Sequence, residues 1–137
     1  MSQTLNCVLL VDDDPATNFL HRLVLRDSGQ VRHIHDVLSA DMAMQYLQRC
    51  RTSEHAESHP CPDLILLDLN MPGTTGWQFL DRLKDAQLDL KPTICILTTS
   101  ANPADRELAA SHEQVHDFLT KPLDGASFAK LLAKHYS

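Results

Sequence analysis

The stretch Leu64-Ile65-Leu66-Leu67-Asp68-Leu69-Asn70-Met71-Pro72 decides how this chain folds. Four consecutive aliphatic residues with no polar interruption have the pattern of a strand buried on both faces, as in a parallel sheet. Here the run ends on a carboxylate. A charged oxygen at the rim of a buried sheet is costly unless cations or chemistry compensate it, which makes Asp68 the first candidate for a functional residue.

Working outward, apolar strand runs alternate with amphipathic helical runs. Leu5 to Val11 reads as a first strand, with three aspartates, Asp12, Asp13 and Asp14, directly after it. Asp14-Pro15 has the form of an N-cap with proline at the first helical position. The helix it opens is expected to set Phe19, Leu20, Leu23 and Val24 on one face and to end near Gly29. Val31 to Leu38 is more polar and weakly alternating, as suits an edge strand, and Ser39 is placed to cap a second helix carrying Ala40, Ala43, Met44 and Leu47. From Arg49 to Pro62 the composition turns polar and predicts a loop that is long for a compact domain. Leu64 to Asp68 is then the third strand, Thr74 to Ala86 a third helix, and Pro92 to Thr99 a fourth strand. Asn102-Pro103 opens a fourth helix through Ala110, Val115 to Thr120 forms a fifth strand, and Phe128, Leu131 and Leu132 mark the last helix.

Parallel strands joined by helical crossovers, all right-handed, give a doubly wound α/β fold, a five-stranded parallel sheet with helices on both faces. In such sheets the functional crevice lies outside the carboxyl ends of the strands. Those ends carry Asp12, Asp13 and Asp14, then Asp68, then Thr98 to Ser100, then Lys121. Carboxylates, a hydroxyl and an ammonium on one rim predict a hard oxygen-ligand cation site, with magnesium as its natural occupant.

Composition excludes several classes. The chain has 137 residues, 43% of them hydrophobic, and a formal charge of -6, so one domain with one core is expected and a phosphate-binding nucleic-acid face is not. No apolar stretch approaches the roughly 20 residues of a membrane span, and Met1-Ser2-Gln3-Thr4 lacks the features of a signal peptide. A cytoplasmic protein without nucleic-acid or membrane partners is the expectation. Cys7, Cys50, Cys61 and Cys95 form no CxxC pair, so all four are read as reduced thiols with no disulfide. His55, His59 and Cys61 lie close together but match a zinc pattern poorly, and the strand expected to begin at Val115 separates His112 from His116. Trp77 and Met71 are assigned to packing around the loop after the third strand, and Asp14 to capping alone.

The aspartate pair after the first strand, Asp68 in Leu-Asp-Leu-Asn-Met-Pro followed by Gly76, Thr98 after the fourth strand and Lys121-Pro122 after the fifth occur in order over nearly the whole chain. Together they resemble the receiver domains of two-component response regulators. That resemblance implies a flavodoxin-like sheet of receiver type with strand order 2-1-3-4-5. It also implies phosphorylation of Asp68 by the phosphohistidine of a sensor histidine kinase or phosphotransfer protein. On the same grounds Asp13 and Asp68 should bind magnesium directly, with the main-chain carbonyl of Asn70, while Asp12 holds it through water. Lys121 and Thr98 should contact the phosphoryl group. Thr98 and Phe118 should form the switch, although receivers more often carry Tyr or another aromatic at the Phe118 position.

With 137 residues and the last expected helix close to Ser137, residues 1–137 are expected to form a single receiver domain, with a core of about 5–135 and no output domain. It would be a phosphoacceptor signalling protein rather than an enzyme. It would act on an unknown downstream protein through the fourth helix, fifth strand and fifth helix, as a monomer or weak dimer. Three alternatives are weaker. A flavodoxin-like electron carrier needs a phosphate cradle where this chain has three aspartates. An aspartate-nucleophile phosphohydrolase would place its nucleophile after the first strand. An inactive receiver used only for docking would lack a catalytic position, and none is missing here.

Overall fold

Five strands and five helices alternate along the described chain: β1 Leu5–Val11, α1 Pro15–Ser28, β2 Val31–Val37, α2 Ala40–Cys50, β3 Leu64–Leu67, α3 Gly76–Ala86, β4 Thr93–Thr98, α4 Pro103–Ser111, β5 Asp117–Thr120 and α5 Gly125–Tyr136. The computed structural model describes residues 5–51, 60–69, 71, 73, 75–86, 90, 92–99 and 103–136. All strand pairs are parallel, in the order β2-β1-β3-β4-β5. The expected doubly wound sheet is therefore present.

Alternate side chains of the central strands enter opposite layers. Leu9, Val11, Ile65, Leu67, Ile94 and Ile96 pack against α2 and α3, where Leu47, Phe79 and Leu80 meet them. Val8, Leu10, Leu64, Leu66, Cys95 and Leu97 face Leu25 of α1 and Phe128 and Leu131 of α5. This period-two division is why β3 reads as an unbroken aliphatic run, each buried side chain contributing roughly 1.5–3 kcal/mol relative to exposure. The burial of Met71 and the partial burial of Trp77 in the first layer match their assignment to packing.

Local chemistry sets most boundaries. Asp14 caps α1 by accepting from the Ala16 amide and the Thr17 hydroxyl, which in that order of weight, hydroxyl first, hold its carboxyl below the usual range. The left-handed Gly29, φ 67°, ends that helix by donating to Arg26 O. Ser39 caps α2, accepting from the Met42 amide. α3 begins later than expected because Thr75 and Gln78 form a capping box, each side chain accepting from the other's amide. β5 begins at Asp117 rather than Val115, because the Val115 amide turns back to donate to His112 O. β2 and β3 end at Val37 and Leu67, one residue short of expectation, and β4 is one residue shorter at each end. Thr74, Asn102 and residues 52–59 of the expected loop, including His55 and His59, lie outside the described residues.

Two expectations are overturned. The inward face of α1 is Asn18, His21 and Leu25, whereas Phe19 and Leu20 are 59% and 57% exposed and Leu23 also faces solvent. Val24 alone of the expected set packs inward, and only partly. The inward stripe runs i, i+3, i+7, and its first two members are polar because they bind main-chain groups beneath the helix. The cysteines are not all reduced thiols. Cys50 and Cys61 are joined in a disulfide. Cys50 ends α2, and the Tyr46 hydroxyl donates to Pro60 O at 2.7 Å, so the returning chain brings the two Cα atoms to 4.9 Å, within bonding range. Spacing along the chain does not reveal that return. Cys7 and Cys95 are free and buried as expected, and burial pushes the Cys7 thiol up to about 11 and the Cys95 thiol up as well.

Candidate functional site

The strand order reverses about β1, whose neighbours are β2 and β3, so a crevice opens where β1 and β3 end. Main-chain bonds fix both ends. The Asp12 amide donates to Val37 O and the Asp68 amide to Val11 O, which keeps these two residues in register just beyond the ladder. Asp12 and Asp68 are only 4% and 5% exposed, while Asp13 is open to solvent. One carboxylate oxygen from each of the three lies within 4.8 Å of the others. Among the described residues this is the only such grouping of His, Cys, Asp or Glu side chains.

Lys121 supplies the opposing charge. Its ammonium donates in a short contact to Asp12 Oδ2 and lies 3.5 Å from Asp68 Oδ2. The Lys121 amide donates to Thr98 O at 2.7 Å, tying the loop after β5 to the end of β4. Thr98 is fully buried at that strand end and Thr99 is exposed. The Lys121-Pro122 peptide bond is cis. Gly76 closes the far side of the Asp68 loop. A Cβ there would lie 2.7 Å from the Asp68 carbonyl oxygen, so only glycine permits this approach of α3 to the end of β3.

Of the residues singled out in sequence, Asp12, Asp13, Asp68 and Lys121 converge, and Thr98 joins them through the Lys121 amide. Asn70 lies outside the described residues. Phe118, half-buried on β5, stands apart from the cluster beneath the Arg106 guanidinium, 5.1 Å from its ring centre. Two polar residues were not anticipated. Asn18 Nδ2 donates to Asp12 O and Val37 O, and His21 Nε2 accepts from the Leu123 amide. Burial first, then the Lys121 ammonium, hold the His21 imidazole below its ordinary range, against a smaller opposing pull from Asp12. Because α1 also carries Thr17, Arg22, Arg26, Asp27 and Ser28, hydropathy alone does not mark Asn18 and His21 as inward.

The donor set fits a hard divalent cation: carboxylate oxygens only, two of them held by the sheet and a third on the open side for entry. Like charges this close repel by about 1 to 4 kcal/mol, depending on the effective dielectric. Asp13→Asn should therefore raise the melting temperature of the metal-free protein by about 3 °C and lower the affinity of the cluster for added magnesium. Calorimetry with and without magnesium checks both, and an unchanged melting temperature with unchanged affinity would remove the electrostatic argument.

Known proteins are similar to this chain in sequence and in fold. The response regulator Rcp1 of Synechocystis sp. is 37% identical over 116 residues, covering 83% of this chain and 75% of that protein. A two-component response regulator from Cytophaga hutchinsonii superposes with a TM-score of 0.84 at 30% identity, covering 96% of this chain and 97% of that one. The phosphorylated cyanobacterial phytochrome response regulator RcpA superposes with a TM-score of 0.71 at 27% identity, covering 94% and 89%. The family model of the response regulator receiver domain matches residues 8–133, and the chain belongs to that family, the receivers of two-component signal transduction.

Proposed function

We propose that Asp68 accepts a phosphoryl group from the phosphohistidine of a sensor kinase or phosphotransfer protein, and that the resulting change of conformation is read by a separate protein. Receiver domains are phosphorylated by histidine kinases and generally bind magnesium through an acidic cluster. The observation that carries the reading here is the meeting of Asp68, Asp12 and Asp13 with the Lys121 ammonium at the switch in strand order. A relative of similar fold has been solved in its phosphorylated form.

Asp68 is held so that its carboxylate can approach phosphorus from the crevice. Its oxygen forms the new P–O bond as the P–N bond to the donor imidazole breaks, and the departing nitrogen keeps the electron pair. Negative charge gathers on the equatorial phosphoryl oxygens, and preorganised cations stabilise it. Lys121 provides one such charge in a nearly dry setting. Asp13 and Asp68 would hold magnesium directly and Asp12 through water, and the ion, when bound, would supply the second charge. The Thr98 hydroxyl is assigned to a phosphoryl oxygen once the group is bound.

The output surface is assigned to α4, β5 and α5. A cavity of about 260 Å³ lies between α4 and β5, lined by Arg106, Ala109, Val115 and Phe118 among others. Inward movement of Thr98 would reposition Phe118, three residues before Lys121, and shift the population of this face. Residues 8–133, which match the receiver-domain family, form the unit that would carry this switch.

Incubation with acetyl phosphate and magnesium should add a single phosphoryl group per chain, seen by intact mass, and chelation with EDTA should prevent it. The adduct should decay slowly without multiple turnover of the donor. Fast multiple turnover would instead mark a phosphohydrolase, and no adduct at all a docking module.

A further inference from the structure

α1 carries two buried polar side chains on its inward face, Asn18 and His21, spaced by three residues and so stacked on one side of the helix. Each holds one of two loops that border the acidic site. Asn18 Nδ2 donates to Asp12 O at 3.1 Å and to Val37 O at 3.3 Å, and so fixes the loop after β1. His21 reaches the loop after β5. Within Lys121-Pro122-Leu123 the proline has no amide hydrogen, so the segment has two main-chain donors. The Lys121 amide is bound by Thr98 O and the Leu123 amide by His21 Nε2, at 3.3 Å. These two bonds bracket Lys121 between the end of β4 and the inner face of α1.

We propose that His21 is a positioning residue for Lys121: by accepting from the Leu123 amide it anchors the loop after β5 to α1, and thereby sets where the ammonium stands over Asp12 and Asp68. To accept this bond Nε2 must carry its lone pair, so the imidazole is neutral with its proton on Nδ1. Leu123 is itself buried, against the layer that contains Leu25 and Phe128, so an amide left without an acceptor there would have no water to replace it. An apolar residue at position 21 would be the ordinary choice for the inward face of this helix. The histidine retains the packing volume and adds the single acceptor that the proline-interrupted loop requires.

The inference rests on the proposed role of Lys121 in phosphorylation of Asp68, and two measurements separate its failure from failure of that role. In the unmodified, unphosphorylated protein, nuclear magnetic resonance should show a coupling across the hydrogen bond between the Leu123 amide nitrogen and His21 Nε2, with the imidazole proton on Nδ1. A proton on Nε2 and no coupling would overturn the proposal whether or not Asp68 is phosphorylated. The second measurement compares rates of phosphorylation by acetyl phosphate at saturating magnesium. His21→Leu, which fills the space without an acceptor, should slow the reaction at least fivefold. His21→Gln, whose Oε1 stands the same number of bonds from Cβ as Nε2, should remain within twofold of the native rate. If the Leu variant matches the native protein, or the Gln variant is as slow as the Leu variant, His21 serves packing alone.

Discussion

The Asp68→Asn protein should take up no measurable phosphoryl group from acetyl phosphate under conditions that label the native chain to one equivalent. A carboxamide has almost the shape of the carboxylate, so β3, its ladder to β1 and the Asp68 amide bond to Val11 O should all survive. The nucleophile disappears, since the amide shares its electrons between nitrogen and oxygen and carries no charge. Removing one of three clustered carboxylates also relieves repulsion, and the change leaves Lys121 its short contact with Asp12. The variant should therefore be at least as stable as the native protein without metal. Stoichiometric labelling at the native rate would show that the acceptor lies elsewhere.

Lys121→Met should have the next largest effect, and in two directions at once. Asp12 and Asp68 are nearly buried, and Lys121 pairs with both. With the ammonium removed, buried charge is left uncompensated, and a destabilisation of about 3 kcal/mol is expected for the metal-free protein. Magnesium would then meet a more negative site with no resident cation opposing it, so its affinity should rise. The rate of phosphorylation should nevertheless fall about 10²- to 10³-fold, as happens when a preorganised charge is lost from developing negative charge. Tighter magnesium binding together with a slower reaction distinguishes loss of catalysis from loss of metal. A rate within tenfold of native would contradict the role assigned to the lysine.

The parallel sheet and its acidic rim were legible because they depend on periodicity and on the residues at the carboxyl end of each strand. Leu64 to Leu67 is apolar throughout because both of its faces are covered, and Asp68 comes next because the crevice begins there. The inward face of α1 was not legible, for a physical reason: Phe19 and Leu20 are apolar and exposed, while Asn18 and His21 are polar and buried, each bonded to a main-chain group of another segment. Hydropathy does not distinguish a buried polar side chain that bonds the main chain from a solvated one. The Cys50–Cys61 bridge was hidden as well, because the return of the chain at Pro60 depends on a tertiary bond from Tyr46. Gly76 reads in sequence as part of a motif, and its reason, the approach of α3 to the Asp68 carbonyl, is visible only in three dimensions.

Exposure of Phe19, Leu20 and Leu23 also changes the surface near the site. These residues project from α1, the helix that begins just after the acidic loop, and place an apolar patch on the chain's outer face. They do not contribute to the core that positions Asp68.

Chemical trapping of the phosphorylated chain tests the assignment most directly. Borohydride reduces an aspartyl phosphate to homoserine, so the labelled and reduced protein can be digested and its modified residue read by tandem mass spectrometry. Homoserine at position 68, formed only when acetyl phosphate and magnesium were both present, is the predicted result. Homoserine at position 12 or 13 with position 68 intact would contradict it.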